Sequence, residues 1–314
     1  MGAVQKIKGC SIDWVYSSRV FYPSKELVFK PVSLRCWGGR GHNLTTNVRS
    51  VILNEKANTI SYTCSRNEVN LDQLIIAEVG SVHDGSFGNA LNLIDLAADC
   101  GASAVKFQTH LAKAESLSEA PSPHYFQRED RISYFARTAF TTDQWKKLAE
   151  HAKAQDMLFL SSPFSLEAVD LLENIGMSAY KIPSGEVTNV PLLEKIASLG
   201  KPVLLSSGMS NWEELDRAVA LLREHIPLVL MQCTSAYPCP PERVGLNIIG
   251  QMQSRYALPV GFSDHTLGLA APIAAATLGA TVVEKHLTFS RRMYGSDAPH
   301  SMEPAEFLTM VESL

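Results

Sequence analysis

Residues 158–184 read LFLSSPFSLEAVDLLENIGMSAYKIPS. An apolar run opens this stretch, a helical segment follows, and a second apolar run leads to Lys181 and Ser184. Short β-favouring runs that alternate with amphipathic helices at intervals of roughly 20 to 30 residues indicate parallel βα units. The stretch therefore predicts two parallel strands joined by a helix.

The same alternation extends from Leu71 to the end of the sequence. Eight runs have the composition of buried strands: residues 74–80, 104–108, 158–163, 179–184, 202–208, 228–233, 259–265 and 281–288. Thr141 and Asn211 each precede a helical segment with early acidic residues, as N-cap residues do. Eight such units predict an α/β fold, a (β/α)8 TIM barrel whose eighth helix is truncated at Leu314.

Residues 1–70 lack a sustained hydrophobic period and contain only short β-favouring runs such as residues 51–53. We expect an irregular, β-leaning N-terminal extension of unknown role, followed by the barrel at residues 71–314. The extension is either a small added unit, a remnant of another domain or the product of a wrongly chosen start.

The composition of the chain excludes several classes of binding partner. With 28 basic and 32 acidic residues, the chain has no strong field to attract nucleic acid or an anionic membrane. Its six cysteines form no CxxC pair, which argues against a disulfide framework or a structural zinc site. No apolar run approaches the roughly 20 residues of a membrane span, and no signal core opens the chain. We expect a cytoplasmic protein with a small-molecule partner.

Polar or ionisable residues stand where the predicted strands end. They are Glu78, Lys106, Gln108, Ser161, Ser162, Lys181, Ser184, Glu186, Ser206, Ser207, Thr234, Ser235, Tyr237, Ser263, Asp264, His265, Glu284 and His286. In a parallel barrel all these strand ends meet at one rim, where barrel enzymes place their active sites. The long connection after Thr109, which contains His110 and His124, is expected at the same rim.

Two kinds of side chain at this rim predict specific chemistry. A cationic cradle for a phosphate-bearing anion is predicted from Lys106, Lys181, Ser162, Ser184 and Gly185. Alternatively, the two lysines pair with Glu78 and Glu186 before substrate binds. His265 and His286 end neighbouring strands, and two adjacent imidazoles favour a divalent metal such as Mn, Co or Zn.

Eight motifs in the same order resemble the sialic acid synthase family, which includes legionaminic and pseudaminic acid synthases. They are IIAEVG from Ile75 with HDG from His83, KFQ from Lys106, SSPFS from Ser161, KIPSGE from Lys181, SSGMS from Ser206, CTSAYP from Cys233, GFSDHT from Gly261 and EKHLT from Glu284. The resemblance implies condensation of phosphoenolpyruvate with an N-acetylated hexosamine, N-acetylmannosamine or a related sugar. It also implies a divalent metal, Mn²⁺ ahead of Mg²⁺ or Co²⁺.

The resemblance further implies a role for individual residues. Those expected to hold phosphoenolpyruvate are Lys106, Ser162, Lys181, Ser184, Ser235 and Ser263. Those expected to position the sugar are Glu78, Gln108, Tyr237 and Asp297. His265 and His286 would bind the metal, and Glu186 would handle protons, with Glu78 or Glu186 orienting the water that the reaction consumes.

The sequence departs from the family pattern in two places. Val82 precedes His83 where the family usually has asparagine, so a polar contact near the sugar is expected to be missing. Family members also continue into a small antifreeze-like domain that, across a homodimer, donates an arginine to the partner's sugar site. That domain is absent here, so we expect either a fragment of a longer protein or a member of the family that works without this lid.

Two other functions fit parts of the pattern. Lys181 could form a Schiff base with substrate, as in lysine-dependent aldolases on the same fold. Without its lid, the barrel could instead be a ligand-binding relic that no longer catalyses a reaction. Turnover that chelation abolishes would argue against the first function, and phosphate release from phosphoenolpyruvate and N-acetylmannosamine would argue against the second.

Overall fold

The structure is a computed structural model that describes two parts of the chain differently. Residues 71, 73–119 and 129–314 are described in full, and residues 32–37, 43–54 and 59–64 by their backbone alone. The chain divides into two compact units, Met1–Glu68 and Val69–Leu314. The loop residue His124 and the side chains of Cys10, Cys36 and Cys64 lie outside the described residues.

Three strands are described in the first unit. They are β1 (Val32–Trp37), β2 (Asn43–Asn54) and β3 (Thr59–Cys64). β2 pairs with both neighbours in an antiparallel sheet of order β1-β2-β3, and the pairing with β3 shifts between Val48 and Ser50. The β-leaning character expected of this extension is confirmed.

Eight parallel strands form the second unit's sheet, and they confirm the predicted barrel. They are β4 (Leu74–Gly80), β5 (Ala104–Thr109), β6 (Leu158–Pro163), β7 (Tyr180–Ile182), β8 (Val203–Ser206), β9 (Leu228–Cys233), β10 (Val260–Asp264) and β11 (Val282–His286). Their order is β6-β5-β4-β11-β10-β9-β8-β7. The two ends of this order, β6 and β7, are in contact, which leaves the barrel nearly closed.

Helices on the outside of the barrel connect the strands. They are α1 (Phe87–Asp99), α2 (Ala112–Glu115), α3 (Arg131–Thr138), α4 (Thr142–Ala154), α5 (Leu166–Asn174), α6 (Val190–Ser198), α7 (Trp212–Leu222), α8 (Asn247–Tyr256), α9 (Ala270–Thr277) and α10 (Pro304–Ser313). Thr141 and Asn211 are N-caps, as predicted. Each forms a reciprocal capping box, with Gln144 and Glu214 respectively, which satisfies backbone donors that the first helical turn leaves unpaired.

The inside of the barrel changes from apolar to polar along each strand. Residues near the strand starts form an apolar cluster that contains Ile76, Ala104, Leu160, Ala179, Leu204, Met231 and Val282. Side chains alternate between the two faces of a strand, so the residue two positions later faces the same way. Those residues are Glu78, Lys106, Ser162, Lys181, Ser206, Cys233 and Glu284. The barrel interior is therefore an apolar plug beneath a polar rim.

Three strands, β7, β8 and β11, end two residues before their predicted ends, and the early end of β7 shapes the rim. β7 stops at Ile182 because Pro183 has no N–H group to continue the hydrogen-bond ladder. The chain then makes a 3₁₀ turn over Ser184–Glu186. The predicted residues Ser184 and Glu186 thus come from a turn beyond the strand.

A buried ion pair joins β10 to β11 on the side of the sheet that faces away from the interior. Lys285 Nζ donates to the Asp264 carboxylate and to the Thr266 carbonyl. The same carboxylate accepts from the Thr266 N–H at 2.8 Å and from its hydroxyl at 3.0 Å. Asp264 and Lys285 precede His265 and His286, so this pair holds together the strand ends that carry the two imidazoles.

Lys285→Met is expected to lower the free energy of unfolding by about 3–5 kcal/mol, because the buried Asp264 carboxylate would lose its cationic partner. Urea titration measures this value. Lys201→Met is the control: it breaks a partly exposed pair with Glu173 and is expected to cost less than about 1 kcal/mol. Equal losses in both variants would mean that the Asp264 charge is well solvated without Lys285.

Two further features concern the described part of the chain only. Cys100, Cys233 and Cys239 are buried free thiols, as the absence of a disulfide pattern predicts. None of the described helices is both long enough and apolar enough to cross a bilayer.

Candidate active site

A cavity of about 950 Å³ lies at the C-terminal ends of the barrel strands. All the residues that received a role from the sequence line it: Glu78, Lys106, Gln108, Ser162, Lys181, Ser184, Glu186, Ser235, Tyr237, Ser263, His265, His286 and Asp297. Four other strand-end residues that were expected at the rim do not line it: Ser161, Ser207, Thr234 and Asp264. They come from segments more than 200 residues apart in sequence, between Glu78 and Asp297. The barrel topology brings them together because parallel strands share one C-terminal edge.

The floor of the cavity is a chain of four charged side chains. Lys106 Nζ lies 2.7 Å from Glu78 Oε2 and 3.6 Å from Glu284 Oε1, and Lys181 Nζ donates to Glu284 Oε2 at 2.7 Å. None of the four side chains is more than 6% exposed. Both lysine ammonium groups are therefore already paired with carboxylates in the absence of a bound anion.

The alternative in which the two lysines pair with Glu78 and Glu186 is right for Glu78, which pairs with Lys106, and wrong for Glu186, whose place is taken by Glu284. Glu284 lies on the inward face of β11 and reaches both lysines. Glu186 lies in the turn after β7, where its Oε2 accepts a hydrogen bond from Asn189 Nδ2 at 2.7 Å. Glu284 was seen at the strand end in the sequence but received no role.

Burial and charge act in opposite directions on these groups. Burial raises the pKa of Glu284, but Lys106 and Lys181 outweigh it and lower that pKa to about 2. Burial also lowers the pKa of Lys181, and Glu284 offsets this effect only in part. For Lys106, two carboxylates more than compensate burial, and its pKa is raised. Glu284 is thus the fixed negative charge of the floor.

Hydroxyl groups surround the two lysines. Lys106 Nζ donates to Ser162 Oγ at 3.4 Å, and Ser263 Oγ donates to Glu284 Oε1 at 3.1 Å. The Gly208 N–H donates to Ser184 Oγ at 3.0 Å. A Cβ on Gly208 would lie 2.8 Å from that oxygen and 2.7 Å from Ser235 Oγ. Only glycine at this position allows both hydroxyls to approach.

The two predicted metal ligands are neighbours. The ring centroids of His265 and His286 are 5.7 Å apart, and both side chains are buried. His265 Nδ1 donates to the Thr234 carbonyl at 2.9 Å, so the lone pair on its other nitrogen is available to a metal. Among the residues that the structure describes, none hydrogen-bonds to the buried Nδ1 of His286. Burial lowers the pKa of His286 to about 4, which leaves its imidazole neutral near pH 7.

These imidazoles fit a divalent metal. An orphaned buried nitrogen beside an oriented second imidazole is the nitrogen donor set that Mn²⁺, Co²⁺ and Zn²⁺ accept. Within the described residues, no group of three or more His, Cys, Asp or Glu side chains forms a complete site. Substrate or water oxygens would have to supply the other ligands.

Asp297 is held over the cavity by the end of β4. Its Oδ2 accepts hydrogen bonds from the Ser81 N–H and from the Ser81 hydroxyl, both at 2.9 Å. Gly80 makes room for this contact: its φ is +54°, and a Cβ there would lie 2.4 Å from Asp297 Oδ2. Tyr134 supports Ser81 by donating to its hydroxyl at 3.0 Å.

The sequence departure at Val82 does not reach the cavity. Val82 belongs to the hydrophobic core, and the ring of His83 packs on Phe140 at 4.5 Å between centroids. Neither side chain lines the cavity. The side chain at position 82 therefore does not belong to this site.

Several cavity residues were not given a role from the sequence. They are Ser81, His110, Arg131, Phe135, Phe164, Ser206, Met209, Cys233, Glu284, Ser296 and His300. Glu284, Ser206 and Cys233 follow from two-residue alternation, which places them on the inward face. His110, Arg131, Phe135 and His300 come from loops and short helices, whose paths no periodicity predicts.

Comparison with known proteins agrees with this arrangement. Residues 93–314 match the NeuB family. This chain belongs to that family, the sialic acid synthases. Over 244 residues, 74% of this NeuB-family chain and 72% of the relative, it is 41% identical to N,N'-diacetyllegionaminic acid synthase of Campylobacter jejuni subsp. jejuni serotype O:2.

Two more relatives place the chain among enzymes. It is 33% identical over 246 residues to human N-acetylneuraminate-9-phosphate synthase, across 76% of this chain and 68% of that one. A crystal structure of N-acetylneuraminic acid synthetase from Leptospira borgpetersenii superposes with a TM-score of 0.70 at 30% identity. That superposition covers 84% of this chain and 87% of the other. This NeuB-family chain is an enzyme of the synthase type.

Proposed function

We propose that this enzyme joins phosphoenolpyruvate to an open-chain N-acetylated hexosamine, giving a nonulosonic acid and inorganic phosphate. One observation carries the proposal: two buried lysines and two imidazoles line the same cavity in a NeuB-family barrel. Relatives named as legionaminic acid and N-acetylneuraminate-9-phosphate synthases support it. We propose N-acetylmannosamine or a related sugar as the acceptor.

The lysine floor is the proposed seat of phosphoenolpyruvate. Lys106 and Lys181 would exchange part of their pairing with Glu78 and Glu284 for the phosphate and carboxylate of the substrate. The hydroxyls proposed to complete the seat are those of Ser162, Ser184, Ser235 and Ser263. Charge-assisted hydrogen bonds from buried ammonium groups are stronger than neutral ones, so the lysines would supply most of the affinity.

The other side of the cavity is the proposed sugar site. Gln108, Tyr237 and Asp297 would orient the open-chain hexosamine, with its aldehyde toward the enol carbon. His265 and His286 would hold a divalent metal, Mn²⁺ ahead of Mg²⁺ or Co²⁺. When bound there, such an ion would stabilise the negative charge that develops on the aldehyde oxygen.

The proposed reaction forms one carbon–carbon bond and one carbon–oxygen bond to water, and it breaks the carbon–oxygen bond to phosphate. The enol carbon attacks the aldehyde carbon, whose oxygen takes up a proton. Water adds to the carbon that carries the phosphate ester and loses one proton. The added hydroxyl then loses its second proton to become the ketone oxygen as phosphate leaves with the electrons of its bond to carbon. Glu78 or Glu186 would orient this water and accept its proton. Burial raises the pKa of both carboxyls, which suits groups that exchange protons.

The test is turnover with phosphoenolpyruvate, N-acetylmannosamine and Mn²⁺, followed by phosphate release and the mass of the product. Phosphate release with a product that contains both carbon skeletons would support the proposal. A panel of other hexosamines identifies the acceptor, and a longer chain extending past Leu314 is assayed in parallel. No turnover by either chain with any sugar would favour a ligand-binding relic.

The Schiff-base alternative predicts that borohydride traps substrate covalently on Lys181. We expect the opposite, that no substrate is trapped, because the Lys181 ammonium is hydrogen-bonded to Glu284 and would serve as an anion ligand. Intact mass spectrometry after borohydride treatment with each substrate checks this. Lys181→Arg is the matched control, since arginine keeps the charge but forms no imine. A covalent adduct on the wild type that is missing from Lys181→Arg would replace condensation by aldolase chemistry.

Two further proposals concern the whole protein. We assign the reaction to the Val69–Leu314 unit, because all the proposed site residues lie in it. We also propose that the enzyme works in the cytoplasm, where phosphoenolpyruvate is made, and as a homodimer, as the family resemblance implies. Sedimentation equilibrium of the purified protein measures the oligomeric state.

A further inference from the structure

His110 is held on both ring faces. It follows β5 and lines the cavity, with its ring stacked between those of Phe135 and Phe164. The centroid distances are 3.7 Å and 4.1 Å, and the interplanar angles are 15° and 20°. The ring can therefore neither tilt nor swing without displacing an aromatic neighbour.

Both ring nitrogens of His110 also have polar partners. Nδ1 lies 2.9 Å and 3.1 Å from the two carboxylate oxygens of Glu115, and Nε2 lies 3.2 Å from the amide oxygen of Gln108. Both partner atoms are oxygens that accept hydrogen bonds from a ring N–H. The Glu115 side chain is only 2% exposed and does not line the cavity.

The contact between His110 and Gln108 continues to the charged floor. The amide nitrogen of Gln108 donates to Glu78 Oε1 at 2.9 Å, and Glu78 Oε2 lies 2.7 Å from Lys106. Glu78 holds only one atom of the Gln108 amide, which leaves the group free to turn about that contact. His110 holds the second atom, and these two contacts together with the bond to Cγ fix the orientation of the amide.

We propose that His110 is a positioning residue that fixes the Gln108 amide for the sugar, with Glu115 holding His110 in place. The inference rests on the proposed function, in which Gln108 contacts the hexosamine. It adds a series of hydrogen-bond contacts from Glu115, which lies outside the cavity, through His110 to Gln108. Preorganised polar groups bind a ligand more tightly, because no binding free energy is lost in ordering them.

His110→Phe tests the proposal, because phenylalanine keeps an aromatic ring between Phe135 and Phe164 but removes both nitrogens. We expect the KM for the hexosamine to rise roughly 10-fold, as for loss of about one effective hydrogen bond, while the KM for phosphoenolpyruvate changes less than about 2-fold. In a Gln108→Leu background the same substitution should have no further effect, because the group through which it acts is gone.

Glu115→Gln provides a second variant that leaves every cavity-lining residue unchanged. It weakens the hold on His110, and we expect a rise of roughly 3-fold in the hexosamine KM that again disappears in the Gln108→Leu background. The control is His151→Phe: His151 Nε2 lies 2.6 Å from Asp95 Oδ1, and this pair does not line the cavity. Both KM values should stay as in the wild type.

A crystal structure of His110→Phe gives a readout that does not need turnover. The amide of Gln108 should leave its contact with Glu78 or show more than one orientation. An unchanged Gln108, or additive KM effects in the double variants, would overturn the inference. If Gln108→Leu leaves the hexosamine KM unchanged, the sugar role of Gln108 and this inference both fall, but the condensation stands. If the wild type does not turn over, the proposed function fails and the crystal structure decides the inference.

Discussion

Replacing Lys181 by methionine is expected to weaken phosphoenolpyruvate binding by about 3 kcal/mol, a rise in Kd of roughly 100-fold. The variant removes a buried ammonium that a phosphate or carboxylate would otherwise contact in a site with little water. Methionine keeps most of the side-chain length, so the loss reports charge more than packing. Titration calorimetry with phosphoenolpyruvate alone measures it without any need for turnover.

The same experiment has a matched control and a pH signature. Lys195→Met removes a lysine on α6 that contacts Asp170 and the Leu166 carbonyl outside the cavity, and it should leave the Kd unchanged. Because burial lowers the pKa of Lys181, affinity should be full below that depressed pKa and lost as pH rises through it. Equal affinities for Lys181→Met and the wild type would remove this lysine from the anion site.

The alternation of strands and helices made two things predictable from the sequence: the barrel fold and which strand-end residues lie in the site. Apolar runs such as residues 158–163 are bounded by helical segments, and that alternation admits few arrangements other than parallel βα units. Once the strands are parallel, residues as distant as Lys106 and His286 must share an edge. No knowledge of individual contacts was needed for that step.

The pairing of charges within the site was not predictable. Whether Lys181 meets Glu186 or Glu284 depends on how far each carboxylate projects into the barrel, and the early end of β7 moved Glu186 into a turn. His110 was noticed only as part of a long loop, because its stacking on Phe135 and Phe164 requires three segments to converge. Contacts that loops create have no period in the sequence to reveal them.

The position of Asp297 is intermediate between the features that the sequence predicts and those that it does not. The resemblance alone suggested a role for this residue, since nothing in the local sequence placed it at the rim. The structure supplies the physical reason: Gly80 leaves space and Ser81 donates twice to one carboxylate oxygen. A positive φ at Gly80 and a carboxylate 216 positions beyond Ser81 become linked only once the barrel has formed.

The proposed metal site yields the second large prediction. His265→Ala and His286→Ala are each expected to weaken Mn²⁺ binding by more than roughly 100-fold, because changes to groups that merely orient metal ligands already cost on the order of 10- to 100-fold. Equilibrium dialysis against Mn²⁺ followed by metal analysis measures the loss, and chelation of the wild-type enzyme should abolish turnover until Mn²⁺ is restored.

The control for this prediction is His225→Ala, in which an exposed imidazole after α7 is removed. This variant should bind Mn²⁺ with the affinity of the wild type. The two cavity variants should also behave alike, because each leaves a single imidazole, and one nitrogen ligand plus water is too weak to retain the ion. Loss of Mn²⁺ from only one of them would show that the other imidazole lies outside the coordination sphere. Retention by both, with turnover that survives chelation, would leave the unpartnered Nδ1 of His286 without an explanation and return it to the substrate site.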